Sequence, residues 1–333
     1  MPNYDAVLIV SFGGPEKRED VLPFLENVLR GRNVPRERML EVAGHYYHFD
    51  GRSPINEQTR ELAAALRNLL AAGGPALPVY IGNRNWYPML ADTLRQMAAD
   101  GVSNALAFVM SAFSSYSGCR QYLENLEEAR AQTGPESPSI HRLRGFYNHP
   151  GFLEPFAEAV RAVLSPGAEL VFTAHSIPVS AASTGKYQEQ LTDACATVAG
   201  LCGNPPWRLV YQSRSGPPGQ PWLEPDIRDT VRQIAAAGDR PAIVIAPIGF
   251  LSDHLEVLWD LDYDAAAVCR EVGLPMRRAS TVGAHPRFVA MIRELILERM
   301  DPSHPRLSLG DGSLCPDVCP VDCCPPPPRR PGA

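Results

Sequence analysis

The chain has 333 residues, of which 20% are charged, and its formal net charge is -6. This length favours about two domains, each with its own core. The weak negative charge provides no basic field, so we expect no nucleic-acid partner. The longest apolar runs are far shorter than the roughly 20 residues that span a bilayer, and no basic segment precedes the first of them, as it would in a signal peptide. We therefore expect a cytoplasmic protein without a transmembrane segment.

Apolar runs and amphipathic stretches alternate along the chain. Short runs rich in large apolar residues predict buried parallel strands at residues 6–10, 79–82, 105–110, 170–173, 208–212 and 242–248. Apolar residues at i, i+3, i+4 and i+7 predict helices at residues 19–29, 55–70, 87–100, 118–132, 149–164, 187–203, 226–238 and 286–300. The alternation predicts an α/β fold of two similar doubly wound, Rossmann-like domains with parallel sheets and a cleft between them.

Turn-forming residues interrupt this alternation in the segments GPESPSI and YNHPG. Because such residues mark loops, we place an N-terminal α/β domain at residues 1–145 and a C-terminal α/β domain at 146–284. A terminal helix at 285–302 is expected to pack back on the first domain, and residues 303–333 form a tail rich in Cys and Pro. Ligands of open α/β sheets collect at the carboxyl ends of the strands, so the cleft is the expected site.

Two strand ends carry side chains suited to proton and cation chemistry. His175 ends the run LVFTAH, and Glu256, Asp260 and Asp264 follow the run AIVIAPIGFL. Their spacing of four residues aligns the carboxylates on one helix face, where like charges repel. They fit either a solvated acidic surface or a path for a divalent cation. Because Glu256 closely follows a buried strand, we expect it to be partly desolvated, with a raised proton affinity.

A glycine pair follows the first strand. Gly13 and Gly14 let the backbone turn tightly and approach a ligand. The segment SFGGPE contains neither GxGxxG nor a GxxxxGK motif, so it is a weak phosphate loop. We therefore expect no nucleotide.

Seven short segments occur in a fixed order along the chain: SFGGPE, RGR at 30–32, HFDGRSPINEQT, SSYSGCRQY, FTAHSIP, YQSRSGPPGQPWLEPD and PIGFLSDHLEVLWDLD. Together they resemble the signature segments of ferrochelatases, which insert ferrous iron into a porphyrin in haem biosynthesis. The resemblance covers residues 5–300 and is greatest to the actinobacterial type, coproporphyrin ferrochelatase. It implies a chelatase-type fold, with a porphyrin and Fe²⁺ as the substrates.

The resemblance also implies roles for the strand-end residues. His175 corresponds to the active-site histidine and Glu256 to its partner carboxylate across the porphyrin. Both residues, with Asp260 and Asp264, are expected metal contacts, the two aspartates lying on an acidic path that delivers iron. A neutral imidazole either accepts a pyrrole proton or binds ferrous iron, and both roles stay open for His175.

The implied porphyrin-binding residues are Phe12, Arg30, Arg32, Ser53, Tyr122 and Trp222. Phe12 stands where some members have a tyrosine, and it offers no oxygen to iron. Segment 30–53 is rich in arginine, which binds carboxylates in bidentate fashion. It therefore favours coproporphyrin III, with four carboxylates, as the substrate, although a solubilising loop has a similar composition.

Four of the eight cysteines crowd the tail, as Cys315, Cys319, Cys323 and Cys324. Without a secretion signal, such crowding favours metal binding over disulfides. The resemblance implies a [2Fe-2S] cluster held by four thiolates, with Cys119 as the internal ligand. Five cysteines thus compete for four places, and zinc on the same thiolates is the alternative. Because iron insertion moves no electron, we expect the cluster to be structural or regulatory.

Three other functions fit parts of the pattern. One is a protoporphyrin IX ferrochelatase. A sirohydrochlorin or cobalt-type chelatase would share the two-domain frame, although such enzymes usually rely on two histidines. A non-enzymatic tetrapyrrole or iron carrier would need the pocket without the proton-handling pair. We expect a monomer, with transient contact to neighbouring enzymes of the haem pathway.

Overall fold

The computed structural model describes residues 3–31, 34–216 and 219–326. Its strands are Ala6–Ser11 (β1), Val79–Asn83 (β2), Asn104–Val109 (β3), Ser139–Arg142 (β4), Glu169–His175 (β5), Trp207–Gln212 (β6), Ile243–Ala246 (β7) and Met276–Arg278 (β8). They form two four-stranded sheets with the orders β2-β1-β3-β4 and β6-β5-β7-β8. All neighbouring strands are parallel.

Helices connect the strands. Those of the first half are Val21–Val28 (α1), Arg36–His48 (α2), Ile55–Gly73 (α3), Leu90–Ala99 (α4) and Gln121–Thr133 (α5). They are followed by Pro150–Val163 (α6), Val179–Ala182 (α7), Tyr187–Leu201 (α8), Ile227–Ala237 (α9), Leu255–Val257 (α10), Ala266–Glu271 (α11) and Pro286–Met300 (α12). Arg18–Asp20 is a 3₁₀ turn, and Tyr116–Arg120 and Leu258–Ala265 are π-helical.

Alternate residues of β1 enter different cores, because successive side chains of a strand point to opposite faces of the sheet. Val7 and Ile9 face the central core, whereas Leu8 and Val10 face a second core that also contains residues of α4 and α5. Every residue of β1 is buried. Burial on both faces explains why this strand is apolar from Ala6 to Val10.

The central core is continuous between the two halves. It contains Phe108 from the first sheet and Phe172 from the second. Helix α12 packs against both α3 and α6, and therefore joins the halves. The predicted break at residue 145 falls in the segment 143–149, which links β4 to α6. The domain limits themselves stay predictions.

The predicted fold class is confirmed, and all six predicted strands are present. Strands β4 and β8 were missed because they are short and partly polar, with the sequences SIHR and MRR. Helix α2 was also missed, within the arginine-rich segment 30–53. None of the helices in the described part of the chain combines the length and hydrophobicity needed to cross a bilayer.

Gly249 lets the loop after β7 lie directly on strand β5. A Cβ atom at this position would be only 2.7 Å from Ala174 Cα, and the Gly249 amide donates to Thr173 O at 3.0 Å. Only glycine permits so close an approach of two backbones. The loop that leads to Glu256 is thereby held against the strand that ends in His175.

The residues after α12 form a strap, defined here as 303–326, along the body of the protein. The Leu309 amide donates to Asn148 O at 2.7 Å, and the Asp311 amide donates to an Asp193 carboxylate oxygen at 3.0 Å. Farther on, Arg120 donates to Cys323 O at 2.9 Å. The strap therefore contacts both halves before it reaches the last cysteines.

Candidate active site

His175 is the last residue of β5 and lies at the carboxyl edge of the second sheet. Its Nδ1–H donates to Ser176 O, and the Tyr187 hydroxyl donates to His175 O at 3.0 Å. The bond at Nδ1 leaves the lone pair of a neutral imidazole on Nε2. The side chain is 34% exposed. His175 is thus held as a partly accessible proton acceptor or metal ligand.

Glu256 lies beside His175, with 3.6 Å between Glu256 Oε2 and His175 Nε2. A flat ring needs about 3.5 Å of contact distance on each face, so no porphyrin fits between the two side chains. The expectation that they face each other across the porphyrin is wrong, and both lie on one side of the cleft. Glu256 is also 48% exposed, which contradicts the expected desolvation of this carboxylate.

Asp260 is the buried carboxylate of the site. It accepts hydrogen bonds from Ser213 Oγ and from Gln212 Nε2, the latter at 3.3 Å. Burial raises the pKa of Asp260 to about 6; the Ser213 bond lowers it and the Glu256 charge raises it. An acid with this pKa gains and loses protons close to neutral pH. Gln212 pairs with His175 in the β5–β6 register, and sequence reasoning gave neither Gln212 nor Ser213 a role in handling protons.

Asp264 lies farther along the same π-helical segment. Its Oδ2 is 4.0 Å from Arg228 Nη1, so its charge is partly balanced. Arg278 binds Asp262 of this segment at 2.6 Å and Asp253, which precedes the segment, at 2.9 Å. The acids that Arg278 does not bind are Glu256, Asp260 and Asp264, named the acidic line below. Irregular π-helical turns are frequent at functional sites.

Phe12 directly follows β1, at the carboxyl end of the first sheet. It packs with Phe24 in a cluster that also contains Leu255, the residue before Glu256. The Arg84 guanidinium lies 5.7 Å from the centre of the Phe12 ring and 4.4 Å from that of Tyr122. Arg84 was missed by sequence reasoning, although its position directly after β2 is a signal for a site residue.

The other implied porphyrin-binding residues have different surroundings. Ser53 is buried against Gly14, and its amide donates to Pro15 O at 2.8 Å. Arg30 is exposed and donates to Asn27 Oδ1. Arg32 lies outside the described residues. These observations leave Ser53 at the base of the glycine loop and Arg30 on the outer surface.

Trp222 lies at the same sheet edge as His175. It forms a β-bridge with Pro178, and its indole N–H is buried without a hydrogen-bond partner among the described residues. A Cβ on Gly216 would overlap the indole ring. The tryptophan therefore packs against the loop after β6, beside the strand end that carries His175.

An aromatic stack that sequence reasoning missed joins α2 to the acidic segment. The rings of His45 and Trp259 are 3.9 Å apart and nearly parallel, and those of His48 and Tyr263 are 4.6 Å apart. Burial lowers the pKa of His45, against an opposing effect of the Asp264 charge. The stack holds the first half of the chain against the outer end of the acidic line.

Comparison with known proteins defines the family. The model of the Ferrochelatase family matches residues 4–300. The ferrochelatase of Rhodopirellula baltica is 55% identical over 99% of this chain and 96% of its own length. The coproporphyrin III ferrochelatase of Streptomyces coelicolor is 49% identical, with the same coverage of both chains. The chain belongs to the ferrochelatase family.

Among solved structures, SirB from Bacillus subtilis with Fe3+ has a TM-score of 0.56 at 11% identity, covering 91% of this chain and 99% of SirB. At this identity the likeness shows the fold alone. It agrees with the chelatase-type architecture of this member of the ferrochelatase family.

Cys323 and Cys324 of the strap lie beside Cys119, which is carried by the π-helical turn Tyr116–Arg120. Cys119 and Cys324 share a hydrogen bond, which is the main influence holding the pKa of Cys119 well below its ordinary value. The sulfurs of Cys323 and Cys324 are 3.7 Å apart. Arg142 Nη2 donates to Cys119 Sγ at 3.4 Å. Cys119 therefore lies beside cysteines of the tail, and the predicted set of cluster ligands stays a prediction.

The thiols beside Cys119 are donors of the type that a four-thiolate iron–sulfur cluster would use. In residues 3–31, 34–216 and 219–326, no three His, Cys, Asp or Glu side chains converge where they could hold one metal ion. The thiols instead lie in adjoining pairs, as two-iron clusters require, and the Arg142 guanidinium beside them supplies positive charge.

Proposed function

We propose that this ferrochelatase-family protein inserts Fe²⁺ into coproporphyrin III. The observation that supports this proposal most directly is the imidazole of His175, whose free Nε2 lies 3.6 Å from Glu256 at the carboxyl edge of the second sheet. Insertion of one Fe²⁺ into a free-base porphyrin releases two pyrrole protons. The site must therefore exchange a dication for protons, and a paired imidazole and carboxylate are suited to both.

His175 acts first as the base in this proposal. Its Nε2 accepts a pyrrole proton, while the bond from Nδ1–H to Ser176 O keeps the ring in the required orientation and tautomer. The resulting imidazolium passes the proton to the adjacent Glu256 carboxylate. His175 is then neutral again and can accept the second pyrrole proton.

The acidic line connects this pair with the outside. Protons leave Glu256 by way of Asp260, whose pKa of about 6 allows it to bind and release them near neutral pH. Carboxylates with water also bind hard and borderline divalent cations weakly enough to release them. We therefore propose that Asp264 and Asp260 are stations for incoming iron as well as for outgoing protons.

The opposite face of the porphyrin is assigned to the Phe12 side of the cleft. Phe12 supplies apolar surface and no metal-binding atom, whereas Trp222 lies beside His175 and Tyr122 is buried in the second core. Because His175 and Glu256 occupy a single face, ring deformation toward them would expose the pyrrole N–H groups to the base. Such strain is worth about 1–5 kcal/mol of binding energy.

Charge supports coproporphyrin III as the substrate. Arg30 and Arg36 form no ion pair with any described carboxylate, and Arg84 is bound through Nε to Asn125 rather than to an acid. These guanidiniums can bind propionates, and Arg suits a carboxylate in bidentate geometry. The relatives from Streptomyces and other bacteria are named for the same substrate.

The test is anaerobic insertion of Fe²⁺ into coproporphyrin III and, separately, protoporphyrin IX. Each charge-assisted bond to an additional carboxylate is worth roughly 1.5–3 kcal/mol, so we expect kcat/KM to favour coproporphyrin III by about tenfold or more. Equal or reversed preference would make the protein a protoporphyrin ferrochelatase. Turnover only with sirohydrochlorin, or porphyrin binding without turnover, would identify a different chelatase or a carrier.

We also propose that this set of cysteines holds a [2Fe-2S] cluster. Its ligands would be Cys119 and three of Cys315, Cys319, Cys323 and Cys324. When bound, such a cluster supplies a redox-active, thiolate-linked crosslink between the strap and the body. Cys119 fixes one end of that link and the strap cysteines fix the other. The visible spectrum and the iron and sulfide content of the resting protein test this assignment. A colourless protein with stoichiometric zinc would contradict it.

The remaining expectations concern the cellular setting. Location in the cytoplasm, a monomeric state and transient contact with neighbouring haem-pathway enzymes stay predictions. Size-exclusion chromatography with light scattering tests the monomer directly.

A further inference from the structure

Arg142 is a cation without an acidic partner. It ends strand β4, is partly buried, and forms no ion pair with an Asp or Glu in the described part of the chain. Its recorded side-chain hydrogen bond is to Cys119 Sγ at 3.4 Å. Removing a guanidinium from water is costly unless an anion compensates it. The surroundings of Arg142 therefore point to negative charge on the neighbouring sulfurs.

Four of the five candidate thiols form a chain of contacts. Cys119 is hydrogen-bonded to Cys324, and Cys319 to Cys323. The sulfurs of Cys323 and Cys324 are 3.7 Å apart. Two thiolates bound tetrahedrally to one metal at about 2.3 Å are about 3.8 Å apart. These contacts are thus of the kind that ligands of a thiolate-bound metal make.

The backbone of Cys324 is adapted to this arrangement. Its φ of 51° lies in the left-handed region, which costs a residue with a side chain of the order of 1–3 kcal/mol. The consecutive residues Cys323 and Cys324 nevertheless direct their sulfurs toward one another. Arg120 holds the same turn by donating to Cys323 O at 2.9 Å.

Cys315 has different partners. Its sulfur accepts a hydrogen bond from Gln190 Nε2 at 3.6 Å and interacts with the Ser114 side chain. A Cβ on Gly145 would lie 2.8 Å from this sulfur, which packs against the central core. Within the described residues, no hydrogen bond joins Cys315 to another cysteine. Cys315 therefore lies close enough to feel the charges of Cys119 and Arg142, but its side-chain bonds run to Gln190 and Ser114 and not to another cysteine.

We infer that the cluster ligands are Cys119, Cys319, Cys323 and Cys324, that Cys315 is not a ligand, and that Arg142 is a positioning residue which donates to the Cys119 sulfur. This inference rests on the proposed cluster. Because hydrogen bonds to sulfur and local charge set the potential of an iron–sulfur cluster, Arg142 raises its reduction potential.

Matched Cys→Ser variants test the ligand set. Cys315→Ser should retain the iron and sulfide content and the visible and circular-dichroism spectra of the wild type. Cys319→Ser should lose the cluster or show a shifted spectrum, because an oxygen ligand replaces sulfur. A wild-type spectrum in Cys319→Ser, or a shifted one in folded Cys315→Ser, would overturn the assignment. A wild-type protein without iron and sulfide would instead refute the proposed cluster, and iron insertion is assayed separately.

The role of Arg142 is tested by the midpoint potential of the purified holoprotein. Arg142→Gln should have a lower potential than the wild type, and Arg142→Lys, which keeps the charge, should lie between them. Arg306→Gln is the control, since Arg306 belongs to the strap but pairs with Asp317 and Glu298, and its potential should not change. An unchanged potential in Arg142→Gln contradicts the inference. If Arg142→Gln assembles no cluster, the test is the midpoint potential of Arg142→Lys. A potential equal to that of the wild type in Arg142→Lys would contradict the inference.

Discussion

His175 is prepared as a base by its backbone neighbours rather than by a buried acid. The bond from Nδ1–H to Ser176 O leaves Nε2 free, and Glu256 lies 3.6 Å away to receive the proton. Asp260 is the carboxylate that the protein desolvates. In the proposed mechanism, proton transfer is therefore divided between an exposed pair, which would meet the porphyrin, and a buried acid behind it.

Replacing His175 should abolish the base but not the pocket. We expect His175→Ala to lower kcat by about 100-fold or more, in the range for a general acid–base residue, while porphyrin binding, followed by its absorption shift, changes little. The assay is anaerobic Fe²⁺ insertion. Tyr87→Ala is a suitable control, since Tyr87 is exposed. An unaltered turnover number in His175→Ala would remove His175 from the mechanism.

Glu256→Gln should separate proton transfer from binding. Glutamine keeps the shape of the side chain but cannot accept a proton, so kcat should fall strongly. The KM for the porphyrin should change only modestly. Steady-state kinetics across a porphyrin concentration series measures both. A large rise in KM with unchanged kcat would show that Glu256 serves binding instead.

Asp260 should make stability depend on pH. Its pKa is raised from 3.8 to about 6, so the folded protein holds this proton more tightly than the unfolded chain. The contribution is complete below about pH 4 and is lost as pH rises through about 6. Asp260→Asn should therefore stabilise the fold by about 1–3 kcal/mol at pH 8 and by less at pH 5. Thermal unfolding at both pH values measures this difference, and a larger gain at pH 5 would contradict it.

At the scale of elements, the cleft is organised by strand ends and by one irregular helix. Strand β5 supplies His175, β6 supplies Gln212, and the helix that begins at Leu255 supplies the acids. Helix α2 closes the outer end through the His45–Trp259 stack. Because α2 also contributes Tyr46 to the cluster that contains Leu255, it links the position of Glu256 to the first half of the chain.

The stack predicts a measurable change in His45. Burial holds the pKa of His45 below its ordinary value, and Trp259 covers one face of its ring. Trp259→Ala should expose the imidazole and raise its pKa, because water stabilises the charged form. NMR titration of the histidine ring protons measures the shift, with Trp207→Phe on β6 as a control. An unchanged His45 pKa would mean that other residues bury this ring.

At the scale of the whole molecule, α12 and the strap join the two halves. Arg144, in the segment between β4 and α6, binds Glu298 of α12 through two hydrogen bonds of 2.6 and 2.9 Å, and both side chains are almost completely buried. Arg144 also donates to Leu307 O at 3.1 Å. One guanidinium therefore contacts the segment between the sheets, the terminal helix and the strap.

Breaking this buried pair should destabilise the protein. Arg144→Leu leaves Glu298 buried with only the more distant Arg306 at 3.5 Å, and loss of one partner of a buried pair costs about 3–5 kcal/mol. The urea midpoint should fall markedly. The double variant Arg144→Leu/Glu298→Leu should recover part of the loss. A single variant as stable as the wild type would show that Glu298 is satisfied without Arg144.

The sequence by itself determined six of the described strands, their buried character and the presence of a histidine and acids near strand ends, because hydrophobic periodicity and turn formers are local properties; the short, partly polar β4 and β8 lack that signal. Only the tertiary structure decided which side chains meet. It placed His175 and Glu256 on one face, made Asp260 the buried acid, and brought Arg84 to Phe12 and Arg142 to Cys119. Those distances depend on how helices and sheets far apart in sequence pack, and packing angles leave no local trace in the residue pattern.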